Sequence, residues 1–370
     1  MLKLKAIKKF SILLSSVILA SVVVTSPLLS QVKPSPSNNQ QKELQGKQLD
    51  ELLEQAKKDV DLDEYEQALS IYEYAASLDK ENSKIFSGIG YVQALLGNYS
   101  EAADAFKKAI ALEPDNSEFY YALGYILGNS GDNQQAASAY EQAISLAPEN
   151  VDNHLGLGVV LLRDEQYDRA IDTYYRIISL DSSNQKAKKI FYTALLKQER
   201  YSEAIAFLQE EIVKDPQNAE LQLKLAKAFL NQNNIEAGLQ ALQSAAKLDP
   251  NNEVIYFKIA KILQLQGDLE RALDFYQRAV RVKPNFIEAQ ANIGSILLAQ
   301  ENYLQAIITY RRLTKIIPEN PTFHHNLGLA LQERGRNEDA LLAFKKARVL
   351  YKEQGQIAKE EELTLLIEEL

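Results

Sequence analysis

Acidic side chains come nearest to a chemical constellation in this chain. Asp59, Asp61, Asp63, Glu64 and Glu66 stand close together, and the first three give the Asp-x-Asp-x-Asp pattern that opens a calcium-binding loop. Such a loop next needs a glycine for its sharp turn and, later, a bidentate glutamate; Glu64 and Ser70 stand there instead. Two readings remain. One is a solvated turn whose acids favour the start of the next helix. The other is a weak site for Mn²⁺, Ca²⁺ or Mg²⁺ on Asp59, Asp61 and Asp63. No other metal or cofactor is expected.

Other reactive types are sparse. The absence of cysteine excludes disulfides, thiolate metal sites, a thiol nucleophile and a lipoprotein anchor cysteine. Gly88 and Gly90 make a lone Gly-x-Gly, with Gln93 where a dinucleotide fingerprint wants its third glycine. There is no P-loop and no His-Glu-x-x-His. His154, His324 and His325 are the only histidines. No enzymatic activity is expected.

The elements that carry these residues are set by a strict period. Ala68, Ala102, Ala136, Ala170, Ala204, Ala272, Ala306 and Ala340 recur every 34 residues, with Gly238 in the remaining place. Four residues after each comes Tyr72, Phe106, Tyr140, Tyr174, Leu208, Leu242, Tyr276, Tyr310 or Phe344. A second alanine and then a proline usually come next. A period of this length marks stacked supersecondary units. Ala-x3-Tyr/Phe-x2-Ala places three residues on one helix face, and the proline ends that helix. Twelve residues before each lattice alanine is usually a small residue, as at Gly90, Gly124, Gly158, Gly294 and Gly328. A helical glycine costs ~1 kcal/mol relative to alanine, so its return implies close approach between helices.

This pattern resembles the tetratricopeptide repeat (TPR) family, most closely where Leu157-Gly158 precedes Ala170 and Tyr174, and where Leu327-Gly328 precedes Ala340 and Phe344. The resemblance covers more than four fifths of the chain, as nine repeats over 49–354. It implies an all-α solenoid, a right-handed superhelix of helix-turn-helix units whose first helices line a concave groove. It also implies protein or peptide binding. Residues 355–370 read as a C-terminal capping helix, with Ile357, Leu363, Leu366 and Ile367 among glutamates. The repeat at 185–218 departs most, with Tyr192 in place of Gly or Ala and Glu211 in place of Ala. That departure is either a local adjustment of the stack or a partner contact.

In the TPR pattern, five positions of each first helix face the groove. The resemblance thus places Ser87, Tyr91, Tyr121, Tyr125 and Asn129 there in the first half. Arg163, Lys186, Lys189, Lys197, Lys227, Asn231 and Lys261 come after them, then Phe257, Ser295 and His325. An aromatic entrance would lead to a basic stretch suited to an acidic segment or a C-terminal tail. His154 and His324 share one repeat position and are expected to pack. The family's chaperone-tail clamp and asparagine ladder both fit poorly; only Asn292 and Asn326 could belong to a ladder.

The chain has 41 basic and 50 acidic residues, a formal net charge of -9. That balance argues against nucleic acid as partner. Its N-terminus is the exception. Lys3, Lys5, Lys8 and Lys9 precede an uncharged stretch at 10–30. Residues 1–30 therefore read as a signal peptide or a signal-anchor, and either exports the repeats to a periplasmic or extracytoplasmic space. Only an uncleaved segment would touch membrane. Residues 31–48 read as a flexible linker. The expected function is an exported, non-enzymatic scaffold that assists assembly or maturation of an envelope or photosynthetic membrane complex. This layout resembles exported bacterial and cyanobacterial TPR assembly factors, such as those acting on photosystem II. The alternatives are a structural part of a pilus or secretion machine, or a specificity subunit supplied in trans to an enzyme.

Overall fold

All eight lattice alanines are fully inaccessible, and Gly238 is buried in the remaining place. The computed structural model in which this is seen describes residues 38–368 and residue 370. The expected targeting segment at 1–30 lies outside them, as do residues 31–37 of the expected linker. The rest of that stretch is helical: α1 runs Asn38–Asp61. Its Gln, Lys, Glu and Leu residues are good helix formers and extend the first repeat helix backward.

Nineteen helices and no strand occur among the described residues, an all-α solenoid. They form two compact units, one ending at Lys80 and one spanning Glu81–Leu370. The first holds α1 and α2 (Tyr65–Leu78). The second opens with α3 (Ser83–Leu95), α4 (Tyr99–Leu112), α5 (Ser117–Ser130) and α6 (Asn133–Leu146). Next come α7 (Val151–Arg163), α8 (Tyr167–Leu180), α9 (Gln185–Lys197) and α10 (Tyr201–Lys214). Then come α11 (Ala219–Asn231), α12 (Ile235–Leu248), α13 (Glu253–Leu265) and α14 (Leu269–Val282). It closes with α15 (Ile287–Ala299), α16 (Tyr303–Ile316), α17 (Pro321–Glu333), α18 (Asn337–Glu353) and α19 (Ile357–Glu368). Odd-numbered helices up to α17 are the first of each repeat and even-numbered ones the second.

Two further 34-residue series set the helix ends. Asn82, Asn116, Asn150, Asn184, Asn218, Asn252 and Asn320 cap the first helices of their repeats, each side chain accepting an N–H of the first turn. That bond satisfies a donor the helix leaves orphaned. Phe286 takes the one intervening place and makes no such bond; it packs on Phe257 instead, with ring centroids 4.9 Å apart. The turn before each second helix passes through left-handed backbone at Asp63, Gly97, Gly131, Glu165, Glu199, Asn233, Gly267, Glu301 and Gly335. Asp63 thus belongs to a turn that recurs in every repeat.

Four helical glycines pair with the aromatic of the same repeat. A Cβ on Gly90 would overlap the Phe106 ring, and one on Gly328 would lie 2.5 Å from Phe344. Gly124 faces Tyr140 and Gly294 faces Tyr310 in the same way. The departing repeat inverts this pairing. Tyr192 replaces the glycine, and its facing aromatic is replaced by Leu208; both are buried. The Tyr192 hydroxyl donates to the Lys224 carbonyl in the next repeat at 3.0 Å. Glu211 is buried too and receives Lys188 Nζ at 2.5 Å and Lys214 Nζ at 3.0 Å. With both unusual residues inside, the departure is an adjustment of the stack.

Candidate partner-binding surface

Four of the residues expected in the groove, Tyr121, Tyr125, Asn129 and Arg163, form one cluster on α5 and α7. Tyr121 and Tyr125 are half-buried a helical turn apart. Tyr121 meets Tyr140 edge-on at 5.6 Å. Burial, with Asp152 and Tyr125 nearby, pushes the Tyr121 phenol up to about 12. Burial likewise raises Tyr125, against the opposing pull of Asn129 and Arg163. Asn129 turns back and donates its amide to the Tyr125 carbonyl at 2.7 Å. Arg163 reaches from α7 to the Gly128 carbonyl at 2.8 Å, where it satisfies an end carbonyl of α5. Its remaining N–H groups stay at the exposed surface. Tyr91 is half-buried on α3.

Beyond the cluster, Lys186, Lys189 and Lys197 on α9, Lys227 and Asn231 on α11, and Lys261 on α13 are all exposed. None of these lysines enters an ion pair among the described residues. Lys189 does lie close enough to Glu220 to help hold that carboxyl below its ordinary range, though hydrogen-bonded Lys224 does most of it. The surface is therefore amphipathic: phenols that offer apolar area and a polar tip, then a run of ammonium groups held apart by helix spacing.

The structure adds detail at the three histidines. His325 is half-buried, edge-on to Phe344 at 6.0 Å and Tyr351 at 6.2 Å, close to Lys359 and Glu362 of α19. Burial, joined by Lys359 and opposed by Glu362, lowers its pKa. His154 and His324 do more than pack: each Nε2–H donates at 2.9 Å to the proline carbonyl six residues earlier, Pro148 and Pro318. Tyr256 and Gln290 make the same bond to Pro250 and Pro284. A proline ending one repeat, with a side-chain donor six residues later, is the signal that could have found this staple.

The acidic turn shows no metal geometry. Asp59 is buried and accepts from Gln55, while Asp63 accepts from Tyr65. Among the described residues, no group of three or more His, Cys, Asp or Glu side chains is placed to hold a metal ion.

Repeated helix pairs, buried small residues and an exposed amphipathic face define a helical-repeat scaffold. The chain belongs to the tetratricopeptide repeat family: tetratricopeptide repeat profiles match residues 94–131, 121–185, 193–253, 223–292 and 294–335, more than half of its length. No curated protein matches it. Similar solved structures include the C-terminal part of a TPR repeat-containing protein from Cytophaga hutchinsonii (16% identity, 64% of this chain and 98% of that one, TM-score 0.53). A tetratricopeptide repeat protein from Parabacteroides merdae is also similar (16% identity, 67% and 98%, TM-score 0.48). So is pilF of Pseudomonas aeruginosa (19% identity, 55% and 92%, TM-score 0.40). At 16% identity the likeness to the Cytophaga hutchinsonii protein concerns the fold. A protein-interaction scaffold, with protein or peptide partners, is what the family and this surface support.

Proposed function

We propose that this protein is a non-enzymatic, exported scaffold that holds an extended acidic segment of a client, or its C-terminal tail, during assembly or maturation of an envelope or photosynthetic membrane complex. The observation that carries the reading is the row of exposed, unpaired lysines on α9, α11 and α13, in a chain of net charge -9. Local positive charge against a low-dielectric wall attracts anionic segments and raises their association rate. Tyr121 and Tyr125 beside Arg163 supply the aromatic and guanidinium types that anchor interfaces. Export rests on Lys3–Lys9 and the uncharged stretch behind them.

The test uses a photo-crosslinking residue at Lys227 in the native host, with a second at Asn337 on the opposite helix layer as control. The proposal expects an envelope protein captured through an acidic segment at 227 and not at 337. Equal capture at both positions, or capture only in the cytoplasm, would contradict it.

A further inference from the structure

The second helices of the last two repeats carry exposed aliphatic and basic side chains on one face. On α16, Leu304, Ile308, Arg311, Arg312 and Lys315 are exposed on one face at helical spacing. The helix contains no Asp or Glu. Thirty-four residues later, α18 repeats the pattern: Leu342, Lys345 and Lys346 are the equivalents of Ile308, Arg311 and Arg312, and all are exposed. Ile308 is 55% and Leu342 67% accessible, high for aliphatic side chains.

Among the described second helices, α16 alone carries cations with no Asp or Glu. On earlier second helices some cations are neutralised locally, as Lys107 is by Asp104, Arg169 by Glu141, Lys214 by Glu210 and Arg278 by Asp274, while Lys108, Lys247 and Arg281 enter no ion pair among the described residues. Arg311, Lys315, Lys345 and Lys346 enter no ion pair among the described residues. Arg312 only touches the Pro284 carbonyl, at 3.3 Å. The acids on α18 itself are Glu338 and Asp339 at its start, where Asp339 is held by Arg336, and Glu353 at its end; the neighbouring helices add Asp274 on α14 and Glu360, Glu361 and Glu362 on α19.

We propose that this α16–α18 face docks on a bilayer surface bearing anionic headgroups. Uncompensated cations are drawn to such a surface within about a Debye length. The aliphatic side chains between them can then bury in the headgroup boundary, as the apolar residues of interfacial helices do. The face lies on the second helices, away from the lysine row of the first helices. Docking would therefore leave the client surface free, and it stands whether or not the client reading does.

Because the chain has no cysteine, one environment-sensitive fluorophore can be placed at will. The full-length chain is labelled at Ile308→Cys or, as control, at Lys227→Cys, and mixed with phosphatidylcholine vesicles with or without phosphatidylglycerol. An N-terminal segment that inserts would do so in both, so the comparison isolates the outer face. We expect a blue shift at 308 with anionic vesicles only, reversed by high salt, and no shift at 227. The shift should be lost in Arg311→Glu/Lys315→Glu/Lys345→Glu, whose helicity should be unchanged because all three side chains are exposed. Silence at 308, an equal shift with neutral vesicles, or a response to polyglutamate but not to vesicles would overturn the proposal.

Discussion

Tyr192 Oη donates to the Lys224 carbonyl at 3.0 Å, so the one tyrosine that takes a glycine's place also bonds the next repeat. Burial pushes its phenol up to about 12, as expected of a hydroxyl held in the stack. Restoring the family residue should therefore weaken the protein. Tyr192→Gly would leave a cavity against Leu208 and add a helical glycine, costing roughly 3–5 kcal/mol. Tyr192→Gly/Leu208→Tyr should recover part of it by rebuilding the usual pair. A double-mutant cycle in urea, read on α9–α11 because repeats share stability with their neighbours, checks this.

Glu211 makes a parallel case. Burial would raise its carboxyl, but the hydrogen-bonded ammonium groups of Lys188 and Lys214 overcome that and hold it below 4.5. Lys188 is itself only 17% exposed. Glu211→Ala, the family residue, should cost roughly 2 kcal/mol by stranding that ammonium, whereas Lys188→Leu/Glu211→Ala should be near neutral. A depressed folded-state pKa gives stability that is complete above the unfolded value and lost as pH falls through the folded one. Hydrogen exchange in α10 should thus accelerate below about pH 4.5 in the natural chain, and less so in the double variant.

Left-handed turns offer stabilisation. Glu165, Glu199 and Glu301 adopt φ of 59°, 58° and 59°, where a Cβ is strained. Glycine relieves that strain but adds unfolded-state entropy, leaving a net gain of about 0.5 kcal/mol per site. The converse, Gly131→Ala at φ 97°, should lose about 1 kcal/mol. Thermal unfolding of the triple-glycine chain should show a higher Tm.

Asn150 bonds the Asp152 N–H at 3.0 Å, and Asn150→Ala should cost about 1 kcal/mol. Phe286→Asn should gain little, because the new cap offsets a lost contact with Phe257. Urea midpoints of the two variants test both statements.

The alanine period exposed the fold because small buried residues recur where helices touch, and nothing else explains that spacing. The asparagine caps and left-handed turns lie on the same period. They escaped because Asn, Asp and Glu are ordinary surface residues until their backbone geometry is known. The Lys188–Glu211 pair spans two helices and has no local signature. At the groove, the pattern indicated which side chains are accessible along α9, α11 and α13. It could not foresee that Lys359 and Glu362 of α19 come near His325, since their place depends on how the last helix folds back.

The central claim is that the lysine row draws an acidic segment. The most direct measurement is stopped-flow binding of a fluorescent glutamate-rich peptide to the natural chain, to Lys189→Glu/Lys197→Glu/Lys227→Glu and to Tyr125→Ala, across a salt series. The account predicts that charge reversal slows association and flattens its salt dependence. Tyr125→Ala should mainly speed dissociation, about 10-fold or more. Unchanged association, dissociation and salt dependence in both variants, with helicity intact, would contradict it.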